Sequence, residues 1–219
     1  MIIAIDGPAG AGKSTVAKIL AKKLGFVYID TGSMYRCLTL KAIEQGIDTS
    51  DVPALKKMAE NTLIDLVNNP DGSLKVMMDG RDVSLEIRLP RITRIVSDIA
   101  KIKEVRKILV VLQRKLGRSK DSVLDGRDIG SFVFPDAQKK FYVDAKVEER
   151  AVRRYKELNL AGTSITLQEV EADVRNRDRI DSTREFAPLI KAEDAVYIDT
   201  TSLTIDQVVE KLLKELKHG

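Results

Sequence analysis

The strongest chemical signal in the chain is the run Gly7, Pro8, Ala9, Gly10, Ala11, Gly12, Lys13, Ser14 and Thr15. It fits G-x-x-x-x-G-K-[ST], with a short β-branched stretch at 2–5 before it and a helical pattern after it. Glycines at these positions let successive backbone N–H groups curl around a phosphate. The amino terminus of the following helix adds partial positive charge. Lys13 would then reach the β- and γ-phosphates of a nucleoside triphosphate, and Ser14 would offer its hydroxyl to Mg²⁺. The plainer alternative is a glycine-rich turn that only joins strand to helix, a minor reading at this spacing.

Phosphate loops serve switches, motors and small kinases alike, so further residues must choose among them. No Asp is followed three residues on by Gly, and no Asn is followed by Lys, which argues against a guanine-specific switch. A motor or helicase usually needs a longer chain. The acceptor side reads better. In DTGSMYR at 30–36, a strand ends and a helix begins, so Thr31 and the helix terminus suit an anion while Tyr35 and Arg36 stand close by. An N-capped surface helix accounts for this segment equally well. In DGRD at 125–128, Asp125 could hold Mg²⁺ through water, with Arg127 and Asp128 over the same sheet edge. An identical DGRD at 79–82 reads as a hairpin turn. On a helix, Arg177, Asp181 and Arg184 share one face, as do Arg150, Arg153 and Arg154, although a solvated, self-neutralising face is the commoner reading of such runs.

These residues need a scaffold, and the composition bounds it. The chain has 219 residues, 43% hydrophobic and 32% charged, enough for one substantial core under an ionic surface. There is one Cys (Cys37), no Trp and one His (His218), next to last and expected to fray. That removes disulfide scaffolds, Cys/His zinc sites and histidine-based catalysis. A single thiol and a first stretch without a basic leader suit a cytoplasmic protein, and no segment approaches the ~20 apolar residues a membrane span needs. The net charge of +4 invites a nucleic-acid reading, with the basic helix at 101–118 as backbone contact. The basic residues are spread along the chain without interleaved aromatics, so a nucleic-acid-stimulated ATPase stays a minor alternative.

Strands at 2–5, 26–29, 122–124, 140–143 and 195–198 alternate with helices at 13–24, 31–45, 51–60, 101–116 and 205–216. Such alternation implies an α/β fold, an open parallel sheet of about five strands flanked by helices. Turn clusters at 68–73 and 78–82 mark a small antiparallel insert.

Taken together, IDGPAGAGKST at 5–15, DTGSMYR at 30–36, the strand-rich insert at about 61–95, DGRDIGSFVFPDA at 125–137, EERAVRR at 148–154 and RDRIDSTREFAPL at 177–189 resemble the bacterial cytidylate kinase family. The likeness covers nearly the whole chain. The phosphate loop is generic, but the 125–137 segment and the insert are far more specific, since adenylate and guanylate kinases lack the combination.

This resemblance implies a P-loop kinase that moves the γ-phosphoryl of ATP onto CMP or dCMP, with Mg²⁺ as cofactor. It implies a core at 1–30, 96–146 and 185–219, a nucleoside monophosphate region at 31–95 and a helical lid at 147–184. Thr31, Tyr35 and Arg36 would help seat the acceptor, and Ser97, Arg106 and Asp128 would read cytosine. Arg127, Arg177, Asp181 and Arg184 would contact phosphate and ribose, with Lys13, Arg127, Arg177 and Arg184 as the catalytic set. Arg150 and Arg154 would close over ATP, and Ser14 and, through water, Asp125 would serve the metal. A monomer acting on small molecules alone, without nucleic acid or membrane, is expected. A kinase of another monophosphate such as UMP is the nearest alternative.

Overall fold

The computed structural model describes residues 1–160, 162 and 164–217, so His218 lies outside the described residues. The first strand, β1 (Ile2–Asp6), is followed by α1 (Lys13–Leu24), which Gly25 ends at φ 70°, its N–H returning to the Ala21 and Lys22 carbonyls. Next come β2 (Val27–Asp30) and α2 (Thr31–Glu44), capped by the Asp30 carboxylate accepting from the Ser33 N–H. Helix α3 (Val52–Glu60) starts with Pro53 in its first turn and the Asp51 side chain as cap. The antiparallel insert is β3 (Ile64–Asn68), β4 (Leu74–Met78) and β5 (Arg81–Asp82). Helices α4 (Pro90–Ala100) and α5 (Lys103–Gly117) lead to β6 (Ser122–Gly126). After β7 (Lys139–Asp144) come α6 (Val147–Leu160), α7 (Leu167–Thr183), β8 (Val196–Asp199) and α8 (Ile205–Lys217).

The main sheet has five parallel strands in the order β2-β6-β1-β7-β8. Ile3 and Ile5 face one cluster with Val16, Leu20, Phe141 and Leu212, while Ala4 faces another with Leu124 and Phe134. Burial on both faces explains why β1 is apolar without alternation. Each of the larger side chains among these contributes about 1.5–3 kcal/mol. A third cluster, including Leu38, Leu55, Met78, Ile92 and Leu109, joins α2 to α5 with the insert.

Register matters most for the site. Asp6 pairs with Gly126 and Asp30 with Asp125, so the exits of β1, β2 and β6 lie at one sheet edge. In open α/β sheets this carboxyl edge is where ligands collect.

The two DGRD copies show how context decides conformation. At 79–82, Asp79 (φ 50°) and Gly80 (φ 82°) both adopt the left-handed conformation that a two-residue hairpin turn requires. At 125–128, Asp125 and Gly126 instead finish a buried strand.

The structure corrects one reading of the sequence and adds one element to it. The stretch at 61–95 is strand only as far as Asp82; beyond it lie a 3₁₀ turn (Glu86–Arg88) and α4, begun by Pro90 and held by Ile92, Val96 and Ile99 on one face. Residues 129–133, to which the sequence assigns no element, form a π-helical turn directly after Asp128.

Candidate active site

A cleft of about 1150 Å³ opens along this edge. At one part of it, the phosphate loop is held by close backbone packing. A side chain on Gly7 (φ 147°) would put its Cβ 1.9 Å from the Val143 carbonyl oxygen, and one on Gly10 (φ 77°) would put it 2.9 Å from the Arg150 carbonyl oxygen. The Lys13 ammonium donates to the Pro8 carbonyl at 2.6 Å, folded back across the loop. Burial, and then the Arg127 guanidinium, hold its pKa down to about 7.

Beside it, the Ser14 hydroxyl donates to Asp125 Oδ2 at 2.7 Å, and the Tyr28 hydroxyl donates to Oδ1 at 2.8 Å. Burial and the neighbouring Asp30 push the Asp125 carboxyl up to about 6. A hydroxyl and a carboxylate in contact are hard oxygen donors, the set Mg²⁺ accepts. Among the described residues no group of three or more His, Cys, Asp or Glu could hold a metal by itself. The donor set therefore fits an ion that takes its other ligands from phosphate oxygens and water.

Further along the cleft, Asp128 is buried between two arginines, accepting from Arg106 at 2.6 Å and from Arg184 at 3.1 Å. Arg106 lies over the Tyr35 ring, 5.3 Å from its centroid. Ser97 lines the same part, from α4. Arg127 donates to Asp181 at 2.8 Å, and Asp181 also pairs with Arg184 at 3.6 Å. The carboxyl of Asp181 titrates below its ordinary value, because Arg127, Arg184 and Arg177 outweigh its burial.

The remaining arginines crowd one another. Burial and then the Arg177 and Arg154 guanidiniums lower Arg36 to about 9, and burial and Arg127 lower Arg177 to about 10. Among the described residues, the buried Arg177 Nε has no hydrogen-bond partner. Cations packed so closely, one with an unmet donor, are arranged for an anion. Arg36 itself is oriented by hydrogen bonds to the Ile87 carbonyl (3.2 Å) and the Thr93 hydroxyl (2.9 Å).

Most of the residues expected from the sequence line this one cleft: Ala9 to Thr15, Thr31, Tyr35, Arg36, Ser97, Arg106, Asp125, Arg127, Asp128, Arg154, Arg177, Asp181 and Arg184. The Thr31 hydroxyl is used within the fold, donating to the Asp125 carbonyl at 2.7 Å. Gly7 and Pro8 support the loop from outside the cleft. Arg150, expected over ATP, sits elsewhere: it is 4% exposed, and its guanidinium donates to the carbonyls of Ala145 and Ala9 and to Asp178 Oδ2. Those bonds brace the phosphate loop from behind. Arg154 faces the cleft and pairs with Glu157 at 2.8 Å.

The sequence reading missed other wall residues. Thr200 to Ile205, after the last strand, line the cleft beside the phosphate loop, where the Thr200 hydroxyl donates to the Ala11 carbonyl at 3.3 Å. Arg88, also missed, reaches Asp30 at 3.4 Å, whereas Arg153, which the sequence groups with Arg150 and Arg154, is anchored by bonds to the Thr200 hydroxyl and carbonyl. The one signal for 200–205 was its place after a strand of the parallel sheet.

The model of the family described as "Cytidylate kinase" matches residues 3–218. A "Cytidylate kinase" of Clostridioides difficile is 51% identical over 216 residues, covering 99% of this chain and 98% of its own length. One from Caldanaerobacter subterraneus subsp. tengcongensis is 51% identical over 217 residues, covering 99% and 95%. Among solved structures, shikimate kinase from Bacteroides thetaiotaomicron superposes with a TM-score of 0.50 at 12% identity, covering 99% of this chain and 98% of that one, a likeness of fold alone.

Proposed function

The chain belongs to the cytidylate kinase family, and on that premise we propose that it transfers the γ-phosphoryl group of ATP to CMP or dCMP, giving ADP and CDP or dCDP. The observation that carries the acceptor's identity is the buried Asp128 carboxylate fixed by Arg106 and Arg184. Cytosine presents an amino donor at C4, which this carboxylate accepts. Uracil presents a carbonyl oxygen there, which it repels. A carboxylate has lone pairs to spare beyond its two arginine bonds. Arg106 donates to the ring nitrogen and the C2 carbonyl, and Ser97 and Tyr35 complete the base subsite.

The attacking group is an oxygen of the acceptor's phosphate monoester, whose second pKa is about 6, so at neutral pH it arrives mostly ionised. That oxygen forms a bond to the γ-phosphorus while the bond to the β,γ-bridging oxygen breaks and ADP leaves. No histidine or other strong base has to take a proton. The residues' work is to align two polyanions and to meet the charge that spreads over the transferred group. The phosphate-loop N–H groups and Lys13 hold the β- and γ-phosphates. Arg36, Arg127 and Arg177 hold the acceptor phosphate and the transferring group, and Asp181 with Arg184 serves the ribose and keeps Asp128 in place. Arg154 faces ATP, whereas Arg150 acts through the loop backbone. Ser14 and Asp125 would hold Mg²⁺, which supplies further neutralisation of the triphosphate when bound.

The core comprises 1–30, 96–146 and 185–219, the acceptor region 31–95 and the lid 147–184; α4, which carries Ser97, spans the boundary between the first two. Closure of the lid excludes water and suppresses ATP hydrolysis. The protein works as a cytoplasmic monomer on small molecules and needs no nucleic acid. Among the described residues no helix is long and apolar enough to cross a membrane. The test is an ADP-release assay with ATP and Mg²⁺ against CMP, dCMP, UMP, AMP, GMP and no acceptor. Turnover confined to the cytidine nucleotides is expected, and equal turnover with UMP or without acceptor overturns the reading.

A further inference from the structure

One buried carboxylate at the site has no part in the mechanism above. Asp6 is the last residue of β1, directly before the phosphate loop, and is 5% exposed. Its Oδ1 accepts the Ile129 N–H at 2.8 Å and its Oδ2 accepts the Gly130 N–H at 2.7 Å. Both donors belong to the first residues of the π-helical turn, whose N-terminal neighbour is Asp128. Asp128 has a backbone outside the regular regions (φ −144°, ψ 24°), and its carbonyl accepts from the Phe132 and Val133 N–H groups. A turn of this kind leaves its first N–H groups without partners inside the helix, and buried N–H groups need one. The Asp6 carboxylate supplies both partners from the strand that launches the phosphate loop.

Resting on the function proposed above, we infer that Asp6 is a positioning residue for acceptor recognition: by gripping the Ile129 and Gly130 N–H groups it sets where Arg127 and Asp128 meet the acceptor. Two further observations fit. Gly130 packs so closely that an added Cβ would lie 3.0 Å from Lys140 Cδ and 3.4 Å from Asp6 Oδ2, so the turn has little other freedom. Burial, followed by the Asp128 charge, pushes the Asp6 carboxyl up to about 7 against the two N–H bonds and Lys13, which marks it as a costly group to keep there for packing alone.

Asp6→Asn tests this, because an amide can accept only one of the two N–H groups and turns its NH₂ toward the other. The KM for CMP is expected to rise about tenfold and the CMP-over-UMP ratio of kcat/KM to fall by a similar factor, the scale of one lost charge-assisted hydrogen bond, while the KM for ATP stays within about twofold. Gly130→Ala, which crowds the same grip from the other side, should shift the same two quantities in the same direction by a smaller factor. Wild-type CMP and UMP values at unchanged KM for ATP in Asp6→Asn would overturn the inference, as would equal losses for ATP and CMP. Loss of the folded circular-dichroism signal in both variants would assign the carboxylate to folding and overturn it too. The wild-type enzyme run beside them separates the two claims: its failure to use CMP sinks the proposed function, whereas its success leaves the variants to decide the role of Asp6.

Discussion

Arg106 and Asp128 meet at 2.6 Å with Arg106 1% and Asp128 4% exposed, and Arg184 takes the other carboxylate oxygen at 3.1 Å. A buried pair of this kind is weak evidence for stability, since desolvation offsets its attraction. On the proposed function, its fixed geometry presents to a base an acceptor beside a donor, the pattern that distinguishes cytosine from uracil.

Asp128→Asn should therefore relax base selection. The CMP-over-UMP ratio of kcat/KM is expected to fall by roughly ten- to a hundredfold, matching about 1–3 kcal/mol for one paired base contact. Asp128→Ala should also lower stability by about 3–5 kcal/mol, because the buried Arg106 guanidinium loses its carboxylate and Arg184 keeps only that of Asp181. Denaturant unfolding measures the second effect. An unchanged acceptor ratio in the Asn variant would remove Asp128 from the base subsite.

Lys13→Ala should cut kcat by about a hundredfold or more, the scale of losing one preorganised charge donor. The nucleotide-free variant should melt no lower than wild type, because the ammonium it loses is buried beside Arg127 and disfavoured there. Steady-state kinetics with a thermal melt separates the two outcomes, and normal turnover contradicts the assignment.

Proton linkage gives a third check. In the nucleotide-free protein, burial brings Lys13 down to about 7, Asp6 up to about 7 and Asp125 up to about 6. An incoming triphosphate adds negative charge and favours the protonated form of all three, so without divalent cation ATP binding takes up protons at about pH 8, where the nucleotide is already ionised. Affinity must then weaken as pH rises from about 7, where Lys13 is half charged in the free protein. Titration calorimetry in buffers of different ionisation enthalpy reads the proton count directly, and net release would contradict the sign.

Tyr28→Phe deletes the hydroxyl that orients Asp125. Loss of such an outer partner typically costs ten- to a hundredfold in metal affinity. The Mg²⁺ concentration for half-maximal rate is expected to rise about tenfold with CMP selectivity unchanged, and an unchanged Mg²⁺ requirement would show that Asp125 needs no such partner.

What could be seen in the sequence was what is local. The phosphate loop is written in nine consecutive residues, Gly7 to Thr15, and the alternation of apolar strands with helical spacing led to the parallel sheet. Arg177, Asp181 and Arg184 share a face by helical periodicity; the structure ends the helix at Thr183, with Arg184 as its cap, and still brings Arg184 to Asp181. What stayed hidden depends on partners distant in the chain. Arg150 and Arg154 stand one helical turn apart, yet the Ala9 carbonyl claims one and the cleft receives the other. Tyr28 looks like any strand residue until β2 pairs with β6 and sets it near Asp125. Asp6 reads as the end of a strand, and only the fold brings it to amide groups 123 and 124 residues away. Helix α4 was obscured because Pro90 breaks the pattern before it and its apolar face is only Ile92, Val96 and Ile99 wide.

The most direct test of the account is a competition: the protein, ATP and Mg²⁺ with CMP and UMP at equal concentration, the products separated and counted. CDP and ADP formed one for one, with UDP at a few per cent of CDP or less, is the predicted result. Equal amounts of CDP and UDP, or ADP released with inorganic phosphate in place of a nucleoside diphosphate, would contradict it.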